Sequence, residues 1–173
     1  MKIIESELKG VYVIDLEPFE DHRGEYVSLH DENKYGSHGI NVRFIQDSVI
    51  FTKKNVLRGI HGDDKTWKLI SCLKGDVYQV IVNCNKDSKD FGKWAKFLLN
   101  EKKRQQIVVP PKFGNAFLIL SDEAIYNYKQ SSSYEVGSMQ FSYRWNDPFF
   151  GIDWPVKNPI LSQRDAEAKF FER

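Results

Sequence analysis

Histidine, cysteine and methionine are scarce in this 173-residue chain, which holds four, two and two of them. Cys72 and Cys84 stand inside apolar, strand-like runs, far from any CxxC pattern. That spacing leaves no dithiol or zinc-ribbon motif and points to packed core thiols. The histidines, His22, His30, His38 and His61, form no HxH or HxxxH pair, so the local ligand set of many jelly-roll metalloenzymes is missing. Asp63 and Asp64 follow His61 closely, but one imidazole and two carboxylates in a turn are a weak donor set, and no metal is expected. No apolar run is long enough to span a bilayer, and the opening MKIIESELKGVYVID is too polar and too alternating for a signal peptide. Charge of one sign is missing too: 25 basic against 24 acidic side chains give a net +1, with no basic face for nucleic acid. The expectation is a cytoplasmic protein with neither a membrane nor a nucleic-acid partner.

What is present is a hydrophobic share of 41% and an aromatic share of 14%, enough to build a core and too much for disorder. No internal repeat, linker or low-complexity stretch divides the chain, so residues 1–173 read as one domain. Period-two alternation dominates. It predicts strands over 11–14, 25–29, 42–49, 56–61, 68–73, 77–83, 94–99, 106–109, 116–120 and 124–129. The turn at Lys74-Gly75 fits a hairpin between two of them. Residues 30–38 and 162–171 read as helical, the second capped by Ser162. Many short strands at regular spacing predict an all-β sandwich or small barrel, which can hold a ligand in its mouth. His22, His30 and His38 lie in polar surroundings where the surface is the default. His61 differs, because it ends a strand and follows Arg58-Gly59.

Several segments, in order, resemble the nucleotide-sugar 3,5-epimerase family typified by dTDP-4-dehydrorhamnose 3,5-epimerase. Asp21-His22-Arg23-Gly24-Glu25-Tyr26 is similar to its D-x-R-G-x-F. Phe44-Ile45-Gln46-Asp47-Ser48 is similar to F-x-Q-D-N, and Leu57-Arg58-Gly59-Ile60-His61 to L-R-G-L-H. Lys68-Leu69-Ile70, Val109-Pro110 with Phe113, Tyr128 with Tyr134, Asp147-Pro148, Ile152-Asp153-Trp154-Pro155 and Leu161-Ser162-x-x-Asp165 continue the match. It runs from about residue 19 to residue 166. The resemblance implies a cupin-like jelly-roll barrel with short flanking helices, one at the C-terminus. It also implies a homodimer, no cofactor, and a nucleotide-diphosphate sugar as substrate.

By the same resemblance His61 is a base that removes a proton beside the ketone of a 4-keto sugar, at C3 or C5, and Asp165 orients it. Lys68 lies near the developing oxyanion. Tyr128 returns a proton from the opposite face; Tyr126 shares its parity and stands as the alternative acid. Arg58 and Arg23 bind the diphosphate. Tyr26 and Gln46 shape the nucleotide site, partly across the dimer, and Tyr134 packs on the base or the diphosphate.

The departures cluster around the sugar and nucleotide. Gly62-Asp63-Asp64-Lys65-Thr66-Trp67 is shorter and more acidic than the family's loop. A second family histidine is replaced by Asn115, which can bond the 4-keto oxygen but cannot carry a charged proton. Ser48 stands for an asparagine, and Met139 for a glutamate. These changes point to the divergent branch that epimerises GDP-4-keto-heptoses for bacterial capsule, with a dTDP-linked 4-keto-6-deoxyhexose as the alternative substrate. A 3,4-ketoisomerase, which would use histidine relays, and a non-catalytic sugar-nucleotide-binding barrel are the competing readings.

Overall fold

A computed structural model describes residues 1–133 and 140–172. In chain order the first elements are β1 (Lys2–Glu5), β2 (Tyr12–Asp15), β3 (Phe19–Asp21), β4 (Gly24–Tyr26), α1 (Glu32–Ser37) and β5 (Gln46–Lys53). The long central strands follow: β6 (Leu57–Gly62), β7 (Lys68–Lys74), β8 (Asp76–Asn83), β9 (Trp94–Asn100), β10 (Gln105–Val109), β11 (Phe113–Ile119) and β12 (Glu123–Gln130). A short β13 (Phe141–Ser142) and α2 (Gln163–Ala166) complete the described elements.

Two antiparallel sheets face each other, with strand orders β1-β2-β10-β7-β12-β5 and β13-β6-β11-β8-β9. This is the expected cupin-like jelly roll. Period-two geometry sorts each strand's side chains. On β8, Val77 and Ile81 point into the sandwich, while Tyr78, Val80 and Val82 point outward. On β11, Phe113, Phe117 and Ile119 point in, and Ala116 and Leu118 point out. The outward faces are covered as well. Trp145 and Phe150 of the C-terminal segment pack over one sheet, and Tyr35 of α1 with Ile40 packs over the other. Burial on both faces explains why β8 reads as an almost unbroken apolar run in sequence.

Several sequence expectations change. Lys74-Gly75 does not close a hairpin: β7 pairs with β10 and β12, whereas β8 pairs with β11 and β9. The turn instead carries the chain from one sheet to the other. Gly75 is required there, with φ +83° and a would-be Cβ only 2.3 Å from the Glu123 carbonyl oxygen. The strand expected over 25–29 is the short β4, hairpinned with β3, and the strand expected over 42–49 is shifted to Gln46–Lys53. The C-terminal helix is only one turn long. Ser162 caps it as expected, its hydroxyl accepting from the Asp165 backbone N–H at 3.2 Å. Cys72 and Cys84 are free and buried.

One irregularity positions the site. Along β6 and β11 the register runs Asn115 opposite His61, then Phe117 opposite Arg58, so Gly59 and Ile60 together oppose Ala116 alone. This is a β-bulge. In a regular strand, residues three apart face opposite ways. The extra residue resets the alternation, so Arg58 and His61 line one cavity. Gly59 permits it: its φ is +126°, and a Cβ would lie 2.6 Å from the Ala116 Cα.

Candidate active site

A cavity of about 230 Å³ opens between the two sheets at one end of the sandwich. The five-stranded sheet contributes Arg58 and His61 from β6 and Asn115 from β11. The six-stranded sheet contributes Lys68 from β7 with Tyr126, Tyr128 and Gln130 from β12. Thus six of the expected site residues meet here: His61, Lys68, Tyr128, Arg58, Asn115 and, from α2, Asp165.

His61 and Asp165 form a close polar pair, with Nε2 2.6 Å from Oδ1. Asp165 is buried, and its other oxygen accepts from the Ser162 hydroxyl at 2.8 Å. Burial alone would raise its carboxyl. The hydrogen bond and charge of His61, with donation from Ser162 and the Gly59 backbone, outweigh burial and hold it below the ordinary value. A proton carried on Nε2 would face this carboxylate and leave the lone pair on Nδ1. One turn of helix, capped by the serine that also bonds the carboxylate, thus holds Asp165 beside the ring.

Lys68 is buried and has no salt-bridge partner among the described residues. Burial pushes its ammonium below the usual lysine range; the charge of Asp63 opposes that shift and the charge of Arg164 adds to it. Asp63 itself turns the loop after His61, accepting from the backbone N–H of Thr66 at 2.6 Å and of Lys65 at 2.9 Å. The short acidic loop is thus a self-bonded turn. Among the described residues no three His, Cys, Asp or Glu side chains form a group suited to a metal.

The two tyrosines separate. Tyr126 is fully buried and stacked on Phe117, with ring centroids 3.9 Å apart. Its hydroxyl donates to Gln79 Oε1 at 2.8 Å, and burial pushes its phenol far above the ordinary range. Tyr128 is half-buried and reaches the cavity. Asn115 accepts from Gln79 Nε2 at 2.6 Å and donates to the Tyr126 hydroxyl at 3.4 Å.

Not every expected residue is brought in. Arg23 and Tyr26 are exposed on the β3–β4 hairpin, Arg23 against Asp21 at 2.6 Å, and neither lines the cavity. Gln46 begins β5 and also stands outside the cavity lining. Gln46 does pair with Gln130, which lines the cavity, so only Arg23 and Tyr26 are corrected to positions away from it within this chain. The reason is topological: β3 and β4 form a separate two-stranded sheet. Tyr134 lies outside the described residues. His30 is half-buried, its ring against Tyr35 and Phe44; His22 and His38 are exposed as expected. The cavity is also lined by residues the sequence did not mark for it, Gln130, Gln140 and Arg164 among them. Arg164 lines the rim, its guanidinium donating to the Ser142 hydroxyl at 2.7 Å and to Gln140 Oε1 at 3.2 Å. Its place beside Asp165, in the single turn after Ser162, was the available signal.

An imidazole beside a buried carboxylate, a lysine with no salt bridge among the described residues and a phenol thus line one cavity from two opposing sheets. Such a set can move protons on either face of a bound ring. Comparison with known proteins matches this arrangement. The family model described as dTDP-4-dehydrorhamnose 3,5-epimerase covers residues 5–173. The dTDP-4-dehydrorhamnose 3,5-epimerase of Escherichia coli K12 is 36% identical over 171 residues, 95% of this chain and 91% of that protein. The Legionella pneumophila dTDP-6-deoxy-D-glucose-3,5-epimerase, solved with dTDP-4-keto-L-rhamnose, superposes with a TM-score of 0.92 at 32% identity, covering 98% of this chain and 92% of that one. A 3'-monoepimerase from Streptomyces bikiniensis, solved with dTDP-quinovose, superposes at 0.89 with 27% identity, covering 96% and 86%. With fold, cavity and relatives in agreement, the chain belongs to the dTDP-4-dehydrorhamnose 3,5-epimerase family of isomerases.

Proposed function

We propose that this protein inverts C3 and C5 of a dTDP-linked 4-keto-6-deoxyhexose. His61 Nδ1 removes the proton beside the ketone, and the electron pair moves into an enolate on the 4-oxygen. Lys68 and Asn115 stabilise that oxygen, and Tyr128 returns a proton from the opposite face. The observation that carries this reading is the placement of His61 and Tyr128 on opposite sheets of one cavity. Inversion requires removal and return on different faces of the ring. One wall for each group supplies that without movement of the sugar.

Arg58 lines both this cavity and an adjoining one of about 560 Å³, so it stands where a diphosphate would link sugar to nucleoside. Arg164 adds a second guanidinium at the rim. The expectation of a GDP-4-keto-heptose gains no support from the relatives, which are named for dTDP-linked sugars. The substitutions at Asn115 and Ser48 are therefore read as variation within dTDP-sugar chemistry.

The enzyme works as a homodimer in this reading. Arg23 and Tyr26, remote from their own cavity, would serve the partner's, and the exposed Ile45, Val49 and Phe51 at the edge strand β5 offer an apolar contact. The test is incubation with a dTDP-linked 4-keto-6-deoxyhexose in deuterated water. Deuterium entering C3 and C5 is expected. Absence of exchange at both carbons would overturn the proposal.

A further inference from the structure

The orientation of the Asn115 amide is set from beneath the cavity. Gln79 on β8 is fully buried and does not line the cavity. Its Nε2 lies 3.1 Å from the Val80 carbonyl oxygen and 2.9 Å from that of Ala116. A carbonyl only accepts, so this end of the Gln79 amide must be the nitrogen. Two backbone groups that cannot flip thus fix the first member of a chain. The same nitrogen, sharing its two protons among three acceptors, donates to Asn115 Oδ1 at 2.6 Å. That side of Asn115 must then be its oxygen. Gln79 Oε1 is left to accept from the Tyr126 hydroxyl at 2.8 Å. Having given its proton away, Tyr126 can only accept from Asn115 Nδ2, at 3.4 Å. Asn115 Nδ2 carries two protons and spends one on Tyr126, so the other is left for the cavity that Asn115 lines.

We infer that Gln79 is a positioning residue that locks Asn115 as a hydrogen-bond donor toward the cavity. The difference matters chemically. An N–H stabilises an oxygen that gains negative charge, whereas the opposite amide rotamer would present a carbonyl and repel it. What the donor is used on rests on the epimerase reading; which way it points does not. All three partners keep their protons across the neutral range, so the donor does not switch off as a histidine would.

A double-mutant cycle on deuterium incorporation tests the inference, using Gln79→Met, Asn115→Ala and both together. Gln79→Met is expected to lower kcat about tenfold to a hundredfold, at or below the loss for removing one oxyanion donor outright because Asn115 itself remains, while KM stays nearly constant. The double variant is expected to be no slower than Asn115→Ala alone, because Gln79 acts through Asn115. Losses that multiply, or a Gln79→Met enzyme with unchanged kcat, would overturn the inference. If Gln79→Met does not fold, Asn115→Asp decides: it still accepts from Gln79 but turns an oxygen to the cavity, and wild-type kcat in that variant would overturn the inference. Should the wild type show no exchange at all, the epimerase reading fails separately. The amide orientation is then read by 15N-edited NMR, where an Asn115 Hδ2 contact to the Tyr126 ring is expected and its absence refutes the lock.

Discussion

Tyr126 and Tyr128 stand two residues apart on β12, on the same face, yet belong to different regions of the sandwich interior. Tyr126 lies at the inner end of the cavity, where the interior closes. Phe117 stacks on its ring, Gln79 and Asn115 occupy its hydroxyl, and no surface is exposed. Around Tyr128 the same interior opens, and the inward positions on neighbouring strands turn polar: Lys68 on β7, Gln130 on β12, His61 on β6. Strand periodicity chooses the face; depth along the strand chooses the chemistry. A phenol whose hydroxyl is already paired inside the core contributes to stability, and one at the mouth is available to a substrate.

The largest expected effect lies in the open region. His61→Asn should lower kcat by about a thousandfold, within the range for a general base, and abolish exchange at C3 and C5; normal exchange would show that the base is another group. Asp165→Asn should follow with about a hundredfold loss or more, because an amide no longer selects the tautomer. The same substitution should change the acid side of stability. The Asp165 carboxyl is held below its ordinary value in the folded protein, so its contribution is present above the ordinary carboxylate range and is lost as pH falls through the folded value. Asp165→Asn should therefore flatten stability against pH on the acid side, as followed by melting temperature from neutral pH downward. A slope equal to that of the wild type would deny the linkage.

The two tyrosines then sharpen the contrast directly. Tyr128→Phe should slow inversion more than exchange, since washing in deuterium needs only the base. Tyr126→Phe should cost about 1–3 kcal/mol of stability by leaving the buried Gln79 oxygen unpaired, read by denaturant unfolding, with the smaller effect on turnover. The reverse pattern would exchange their roles. Smallest in catalysis is Ile119→Ala in the closed region. It should remove about 2–5 kcal/mol of stability through the cavity it leaves, yet preserve kcat per folded molecule.

The comparison also marks how far the sequence was legible. Alternation located most strands because, Gln79 apart, the inward positions of the central strands are largely apolar or belong to the cavity. It could not assign strands to sheets: Lys74-Gly75 has hairpin chemistry, and only the pairing of β7 with β10 and β12, and of β8 with β11 and β9, shows that the chain crosses between sheets there. Local patterns likewise gave no account of why Arg58 and His61, three residues apart, face one cavity, because a bulge is a property of two strands together. His61, Lys68, Tyr128 and Asp165 were legible through ordered family motifs. Arg164 fell on a variable position of its motif. Gln79 was visible as one polar residue in an apolar run, and a buried amide needs partners, but those partners come from distant strands.

The most direct test of opposed walls follows both events in one sample of Tyr128→Phe, with a dTDP-linked 4-keto-6-deoxyhexose in deuterated water. If His61 works from one sheet and Tyr128 from the other, deuterium should still enter the sugar while inversion falls by about a hundredfold, within the range for losing a general acid. Equal loss of exchange and inversion, or an unchanged rate of both, would contradict the account.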